Sequence, residues 1–522
     1  MFVLPHYIPY VTGIMTIISI SKLLLTFLSL LLLRTLVQRW RQPAALPPGP
    51  KGLPLIGNIL DMPTEKEWLT FARWGEKWGD ITSVNVFGQT LIILNSAKVA
   101  TEMLEKKSSI YSDRPTLQMG GELVGWKNAL VFIPYGDRFR RFRRYIHQAM
   151  GNNGAVSQYL PLEEIEAHRF LRRVLDEPED LSLHIRKMSG AIILRITHGY
   201  ETRWNDDPLV ELADKVLEQF SLATVPGAFM VDLIPALCHV PSWFPGAGFQ
   251  KLAASWSAGL SGMVERPYTF VKRQMSDGIA PISFASTLLE TESLSNEEEL
   301  DIKWSALSLY AGGFDTTVST IYALFLAMTL YPDVLKKAQA EIDAMVGNDR
   351  LPTFSDRDEL PYVNALVKEV HRWNVVVPSS IPHRVTQDDV HAGYFIPKGS
   401  LVITNIWKMT RNPAVYPDPE RFDPSRFISS EGGIVQPDPL EVCFGFGRRI
   451  CPGILLADAS LFISCATSLA VFDISKCVVD GVVVEPKHEN TSGTLSHPKP
   501  FKCSIKPRSH KAASLIKIDE NY

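Results

Sequence analysis

The chain has 522 residues, 46% hydrophobic and 21% charged, with a formal net charge of −3. That is enough apolar side chain for a large buried core, and the charge balance gives no global bias toward binding nucleic acid or another polyanion. Its six cysteines, at 238, 443, 451, 465, 477 and 503, form no C-x-x-C pair and no regular framework, which points to a reducing compartment; no histidine stands at ligand spacing from them, which argues against zinc.

Residues 11–33 are apolar apart from scattered Ser and Thr and the single Lys22, long enough to cross a hydrocarbon core of ~30 Å as one helix. A signal peptide is the competing reading, but the apolar run is too long for one. Its downstream flank is also basic (Arg34, Arg39, Arg41) where a small-residue cleavage site would stand. Positive charge stays on the cytosolic side, so residues 1–37 are expected to form a single-pass anchor with a lumenal N-terminus and a cytosolic body. Lys22 either snorkels or moves the span toward residues 23–37. Residues 38–58, with prolines at 43, 47, 48, 50 and 54, cannot be helical and are expected to act as a stiff spacer between anchor and body.

Residues 65–78 carry a helical pattern, and residues 81–87 and 90–94 alternate around Gly88-Gln89, which predicts a β-hairpin. Residues 111–131 show no period and are expected to form a loop. A strongly charged helix begins at Asp137, where Phe139 and Arg143 share a face while Arg140 and Arg144 point another way. These outer arginines read either as a solvated face or as a cationic dock for an acidic partner. Helices broken by Gly and Pro fill residues 161–281, with a mostly apolar loop over 225–248.

Ser295-Asn296-Glu297-Glu298 is a capping box, and the helix after it is expected to run to about Leu330. Two mid-helix glycines, Gly312 and Gly313, each cost roughly 1 kcal/mol against alanine, so something must offset them. Asp315 and Thr316 follow directly. Another helix spans residues 360–373 and carries Glu369 and Arg372 at i,i+3; further on, Pro419-Glu420-Arg421-Phe422 sits in a proline-broken stretch. Between them lie the apolar run 375–377, then Pro382-His383-Arg384, then a strand-like segment over 394–404.

Phe444-Gly445-Phe446-Gly447-Arg448-Arg449-Ile450-Cys451-Pro452-Gly453 is a glycine-rich loop opening into an apolar helical run over 454–472. A cysteine at a helix N-terminus favours the thiolate, and the glycines let a bulky partner approach the backbone. Arg449 adds a fixed cation suited to a carboxylate. Cys443 is the rival thiol, but it precedes the glycines and no helix opens after it. Asn490-Thr491-Ser492 is a glycosylation sequon that the expected topology leaves in the cytosol, and after Phe501 the chain turns polar and charged and reads as frayed, with residues 509–522 a polar tail.

Phe444, Gly447, Arg449, Cys451 and Gly453 fill the pattern F-x-x-G-x-R-x-C-x-G, which resembles the haem loop of the cytochrome P450 family; Gly312 to Thr317 resembles that family's acid-alcohol segment, and Glu369, Arg372 and Arg421 its structural triad. The resemblance implies a mainly α fold with minor β (α+β), the catalytic domain spanning 59–508. It implies haem b with Cys451 as axial thiolate, Phe444, Gly447 and Gly453 shaping its seat, Arg449, Arg143 and Arg384 as propionate partners, and Thr316 and Asp315 handling protons. Where the family usually reads W-x-x-x-R this chain has Phe139, so one N–H donor is lost and only Arg143 carries over. Thr494, Leu495 and residues 375–377 fall where the family lines its pocket.

The implied reaction inserts one atom of O2 into a lipophilic small molecule. Electrons would come from a separate NADPH–cytochrome P450 reductase, with cytochrome b5 as an optional second donor. The anchor implies the endoplasmic reticulum membrane. The run Ser308-Leu309-Tyr310-Ala311-Gly312-Gly313 most resembles fungal members that oxidise secondary metabolites of terpenoid or polyketide type. A haem-thiolate isomerase or dehydratase, which uses no O2, is the alternative, and Thr316 argues against it. A non-catalytic haem protein is the other.

Overall fold

A computed structural model of the protein describes residues 43–518, apart from 226, 292 and 430–433, together with residue 26. The expected membrane span over 11–33, with Lys22, lies but for residue 26 outside the described residues.

Helix α1 (Glu67–Trp78) buries Trp68, Phe71, Ala72 and Trp74 as one stripe against the hairpin that follows. Strands β1 (Ile81–Val86) and β2 (Gln89–Leu94) pair antiparallel, ending at Val86 opposite Gln89. Phe87 and Gly88 between them both take positive φ, 49° and 87°, the geometry that matches strand twist in a two-residue turn.

The described part of the proline-rich stretch does not stand clear as a spacer. It runs along β1: the Ser83 amide donates to Pro48 O at 3.0 Å, Asn58 Nδ2 donates to Pro50 O at 3.0 Å, and the Asn85 amide donates to Asn58 Oδ1 at 3.0 Å. A Cβ on Gly49 would lie 2.0 Å from Ser83 O, so glycine permits this close approach. Prolines lack the amide that an inner strand needs but tolerate an edge.

The helical body follows: α2 (Asp137–Met150), α3 (Leu160–Asp176), α4 (Leu181–His198), α5 (Pro208–Ala223) and α6 (Gly248–Ser276). The expected loop over 111–131 is broken by short helical turns at Gln118–Leu123 and Trp126–Asn128. In α2, Phe139, Phe142, Ile146 and Met150 turn inward. Two of its arginines are structural rather than free: Arg138 Nε and Arg141 Nε each reach the fully buried Asp301 at 2.7 Å. Arg144 remains exposed.

Helix α7 (Asn296–Leu330) is the axle of the body, 35 residues and so about 50 Å long. Ser295 Oγ caps the Glu298 amide while Glu298 bonds the Ser295 amide, and Glu297, Glu298 and Glu299 complement the positive end of the dipole. Its broadest contact is with α4. The two mid-helix glycines do different things. A Cβ on Gly313 would meet Ile193 Cδ1 of α4 at 2.7 Å, whereas one on Gly312 would meet nothing within 4 Å.

Helices α8 (Pro332–Met345) and α9 (Pro361–Trp373) lead to β3 (His383–Arg384) and β4 (Leu401–Thr404). These complete a sheet of order β1-β2-β4-β3, in which β2 and β4 run parallel. Helix α10 (Ile454–Val471) packs against α3, α7, α8 and α9. Helices α7 and α10 are long and apolar enough to cross a membrane, yet their most apolar windows are 78% and 72% buried, which makes them core helices. Strands β5 (Phe472–Lys476) and β6 (Cys503–Pro507) pair antiparallel. The frayed tail expected after Phe501 is instead ordered, first as β6 and then as helix α11 (His510–Ile518), with Ala512 and Ile516 buried against the body. Those two stand at i,i+4, and that apolar pair outweighs the polar composition around it.

Candidate active site

The loop 444–453 and the centre of α7 face each other across a cavity of about 370 Å³. On one side the loop is closed by the Cys451 amide donating to Phe444 O at 2.8 Å, and α10 begins just after it. Gly447 takes φ 57°, and a Cβ there would lie 2.2 Å from Leu104 O, so no other residue fits without shifting backbone. A Cβ on Gly453 would stand 3.9 Å from the Cys451 sulfur.

The helix N-terminus was expected to favour a Cys451 thiolate. Burial dominates instead and pushes the thiol up, while the Gly453 amide and Arg143 pull it down. A thiolate here therefore calls for a cation in the cavity. Cys443 also borders the cavity, but its Sγ is engaged with His371 O at 3.4 Å and burial pushes it up to about 12.

Across the cavity, Gly312 and Thr316 line the wall, and Thr316 Oγ1 donates to Gly312 O at 2.6 Å. Asp315 does not line it. Its side chain is 10% exposed, and its Oδ2 stands 3.0 Å from Nε2 of His497.

Three guanidiniums border the cavity: Arg114, Arg143 and Arg449. Arg449 is tied to backbone carbonyls, Nε to Ser112 O and Nη2 to Ile133 O, both at 2.7 Å, and lies 3.9 Å over the Phe139 ring. Phe139 thus offers a stacking face where a donor was missing. Burial lowers all three arginines, Arg449 to about 10, and Arg114 and Arg449 each lie close enough to another arginine to be lowered further. Arg114 is buried with no partner on Nε. Clustered, desolvated cations with an orphaned donor call for carboxylates.

Arg384, expected among them, is turned away. It pairs with Asp113, its side chain is 43% exposed, and it does not line the cavity. Its neighbour His383 does, with Nδ1 bonded to Tyr111 O at 2.6 Å, because adjacent strand residues face opposite sides.

Beneath the loop, Arg372 holds Glu369 through Nε at 2.6 Å and Nη2 at 2.7 Å, both side chains fully buried. Burial raises Glu369, and Arg372, the Asp423 amide and Arg426 oppose it. The third cation is Arg426, with Nε 3.4 Å from Glu369 Oε1, rather than Arg421, whose side chain is exposed and which offers only its carbonyl to Arg372 Nη2 at 3.1 Å. Pro424-Ser425-Arg426-Phe427 repeats the P-x-R-F pattern five residues on, and only the second copy lies on the short helical turn that faces α9. The repeat was the available signal. Arg114 and His497, in contrast, stand in segments with no motif of their own.

The Cytochrome P450 family model matches residues 47–505. This chain belongs to the cytochrome P450 family. It is 55% identical over 482 residues to cytochrome P450 monooxygenase 208 of Postia placenta, covering 92% of this chain and 94% of the relative. It is also 46% identical over 504 residues to cytochrome P450 monooxygenase claR of Ampulloclitocybe clavipes (96% and 93%), and 44% identical over 488 residues to cytochrome P450 monooxygenase CLM2 of Gibberella zeae (91% and 92%). As a cytochrome P450 it is a haem-thiolate monooxygenase, using haem b, O2 and electrons from a redox partner on lipophilic substrates. The residues fit that cofactor: a sulfur that needs a cation, glycines that leave the approach open, and desolvated guanidiniums that need carboxylates.

Proposed function

We propose that this cytochrome P450 oxygenates a neutral, lipophilic secondary metabolite of terpenoid or polyketide type, drawing electrons from NADPH–cytochrome P450 reductase while anchored in the endoplasmic reticulum membrane with its body cytosolic. The observation that carries the substrate class is the chemistry of the wall. Trp126, Leu130, Leu217, Phe220, Val376 and Leu495 line it, and among the described lining residues there is no Asp, Glu or Lys. Such a pocket holds its ligand by shape and apolar burial at about 25 cal/mol per Å².

Haem b, when bound, supplies the activation of O2 and the electron push of a thiolate ligand. The protein's own residues do the rest. Cys451 would hold the iron side of the cofactor, and Arg114, Arg143 and Arg449 would hold its carboxylates. The Glu369–Arg372–Arg426 network fixes the segment on which the Cys451 loop rests. Balance requires two protons for the oxygen atom that leaves as water; in this reading the Thr316 hydroxyl on the wall handles them and Asp315, behind the wall, supplies them. Gly312 keeps the adjacent wall open, and the apolar lining disfavours bulk water.

The test is reconstitution with reductase and a panel of neutral terpenoids and polyketides beside charged analogues. A product heavier by one oxygen from a neutral member, with NADPH and O2 consumed together, is expected. Turnover of the charged analogues alone overturns the substrate class. C451S is expected to lose the strongly red-shifted Soret band of the reduced carbon monoxide complex.

A further inference from the structure

The cavity wall carries Thr316, but the acid expected to feed it is off that wall. Asp315 turns to His497, which stands on the stretch between β5 and β6, 182 residues later. His497 does not line the cavity either, and 24% of its side chain is exposed. It therefore touches Asp315 on one side and water on the other.

The backbone that carries the ring is held. The His497 amide donates to Thr491 Oγ1 at 3.0 Å, the Thr491 amide donates to His497 O at 2.8 Å, and the preceding Ser496 donates its amide to Val376 O at 2.8 Å and accepts on its carbonyl from Ser319 Oγ at 2.7 Å. Ser319 is on α7, one turn beyond Asp315, so the loop is pinned to the same helix that carries the acid. A loop whose backbone is tied to α7 and to residue 376 presents its ring to Asp315 from a fixed place.

We propose that His497 is the positioning residue through which Asp315 exchanges protons with solvent, so that protons enter between the C-terminal loop and α7 rather than through the substrate mouth. This rests on the reading of Thr316 and Asp315 as the proton-handling pair. At each delivery the Nε2–H bond of a protonated His497 breaks as an O–H bond forms on Asp315 Oδ2. Asp315 returns to the carboxylate as it passes that proton on toward Thr316, the neutral ring is reprotonated by a solvent hydronium, and no electron moves in the step.

The bland rival is that His497 only anchors the loop. H497Q separates the two, since the amide still donates to Asp315 but carries no exchangeable charge. With reductase and the neutral compound turned over best in the panel above, H497Q, H497A and D315N are each expected to release several-fold more hydrogen peroxide per NADPH. Product formation should fall toward the ~10²-fold that a positioned acid contributes. The double variant D315N/H497Q is expected to match D315N alone, because both changes cut one path.

Hydrogen exchange over residues 490–498 supplies a readout free of turnover, expected to be wild-type in H497Q and faster in H497A. Wild-type peroxide release in H497Q, or additive effects in the double variant, overturns the relay and leaves the Asp315 reading standing. If D315N itself behaves as wild type, that reading falls and the relay with it.

Discussion

Replacing Arg426 with alanine is expected to destabilise the protein by about 3 kcal/mol, and replacing Arg421 by less than about 0.5 kcal/mol. The difference comes from what each guanidinium touches. That of Arg426 is 5% exposed, lies 3.4 Å from Glu369 Oε1, and donates to Asp418 O at 2.6 Å and to the Pro417 carbonyl. Removing it strands two acceptors in a dry site and half-strips a buried carboxylate. Glu369 keeps Arg372 and the Asp423 amide at 2.8 Å, which places the cost at the low end of the ~3–5 kcal/mol for a broken buried pair; R372A, which removes the bidentate partner, belongs at the high end. A loss of 3 kcal/mol is about 100-fold in the unfolding equilibrium. Chemical denaturation followed by circular dichroism, with pigment content read from the reduced carbon monoxide spectrum, measures both. If R421A loses as much as R426A, or R426A keeps full pigment and the wild-type midpoint, the assignment of the third cation is wrong.

T316A is expected to keep its pigment and divert electrons to hydrogen peroxide, with product per NADPH falling by roughly 10-fold or more; unchanged coupling counts against a proton-handling hydroxyl. G447A is expected to cost at least about 2 kcal/mol and to be purified largely without pigment, because φ 57° and the Leu104 carbonyl 2.2 Å away both oppose a Cβ; full occupancy would show that the loop has slack. Glu163 is fully buried against Ser460 Oγ at 2.7 Å, and burial pushes its carboxyl up from 4.5 to about 8. The folded state thus binds the extra proton between those values, so wild-type stability should fall as pH rises from about 4.5 to 8. E163Q has no such proton to lose, and its stability relative to wild type should climb over that window in denaturation curves; parallel curves would refute the neutral carboxyl.

The elements with strong local signals were legible in the sequence. The Ser295 capping box marks the start of α7, and Phe87-Gly88 closes a hairpin one residue from where alternation placed it. The F-x-x-G-x-R-x-C-x-G loop is legible because each glycine answers a steric demand. What escaped were tertiary choices. Arg421 and Arg426 sit in near-identical words, and only packing against α9 decides which one turns inward. Arg384 and His383 alternate on one short strand, so a register of one residue swaps cavity for solvent. Arg114 is an isolated arginine whose burial no local pattern announces. Residues 38–58 look like a tether by composition, yet the Pro48 carbonyl and the Asn58 amide find β1.

The hairpin near the start of the body takes its next neighbour from the far end of the chain: residues 91–94 pair in parallel with 401–404. On the ribosome, β2 must wait for some three hundred further residues to emerge before its open side is matched. Through that interval Leu91, Ile92, Ile93 and Leu94 form a naked, strongly apolar edge, the kind that templates wrong pairings with other nascent chains. Slow folding is the consequence expected of that long-range pairing.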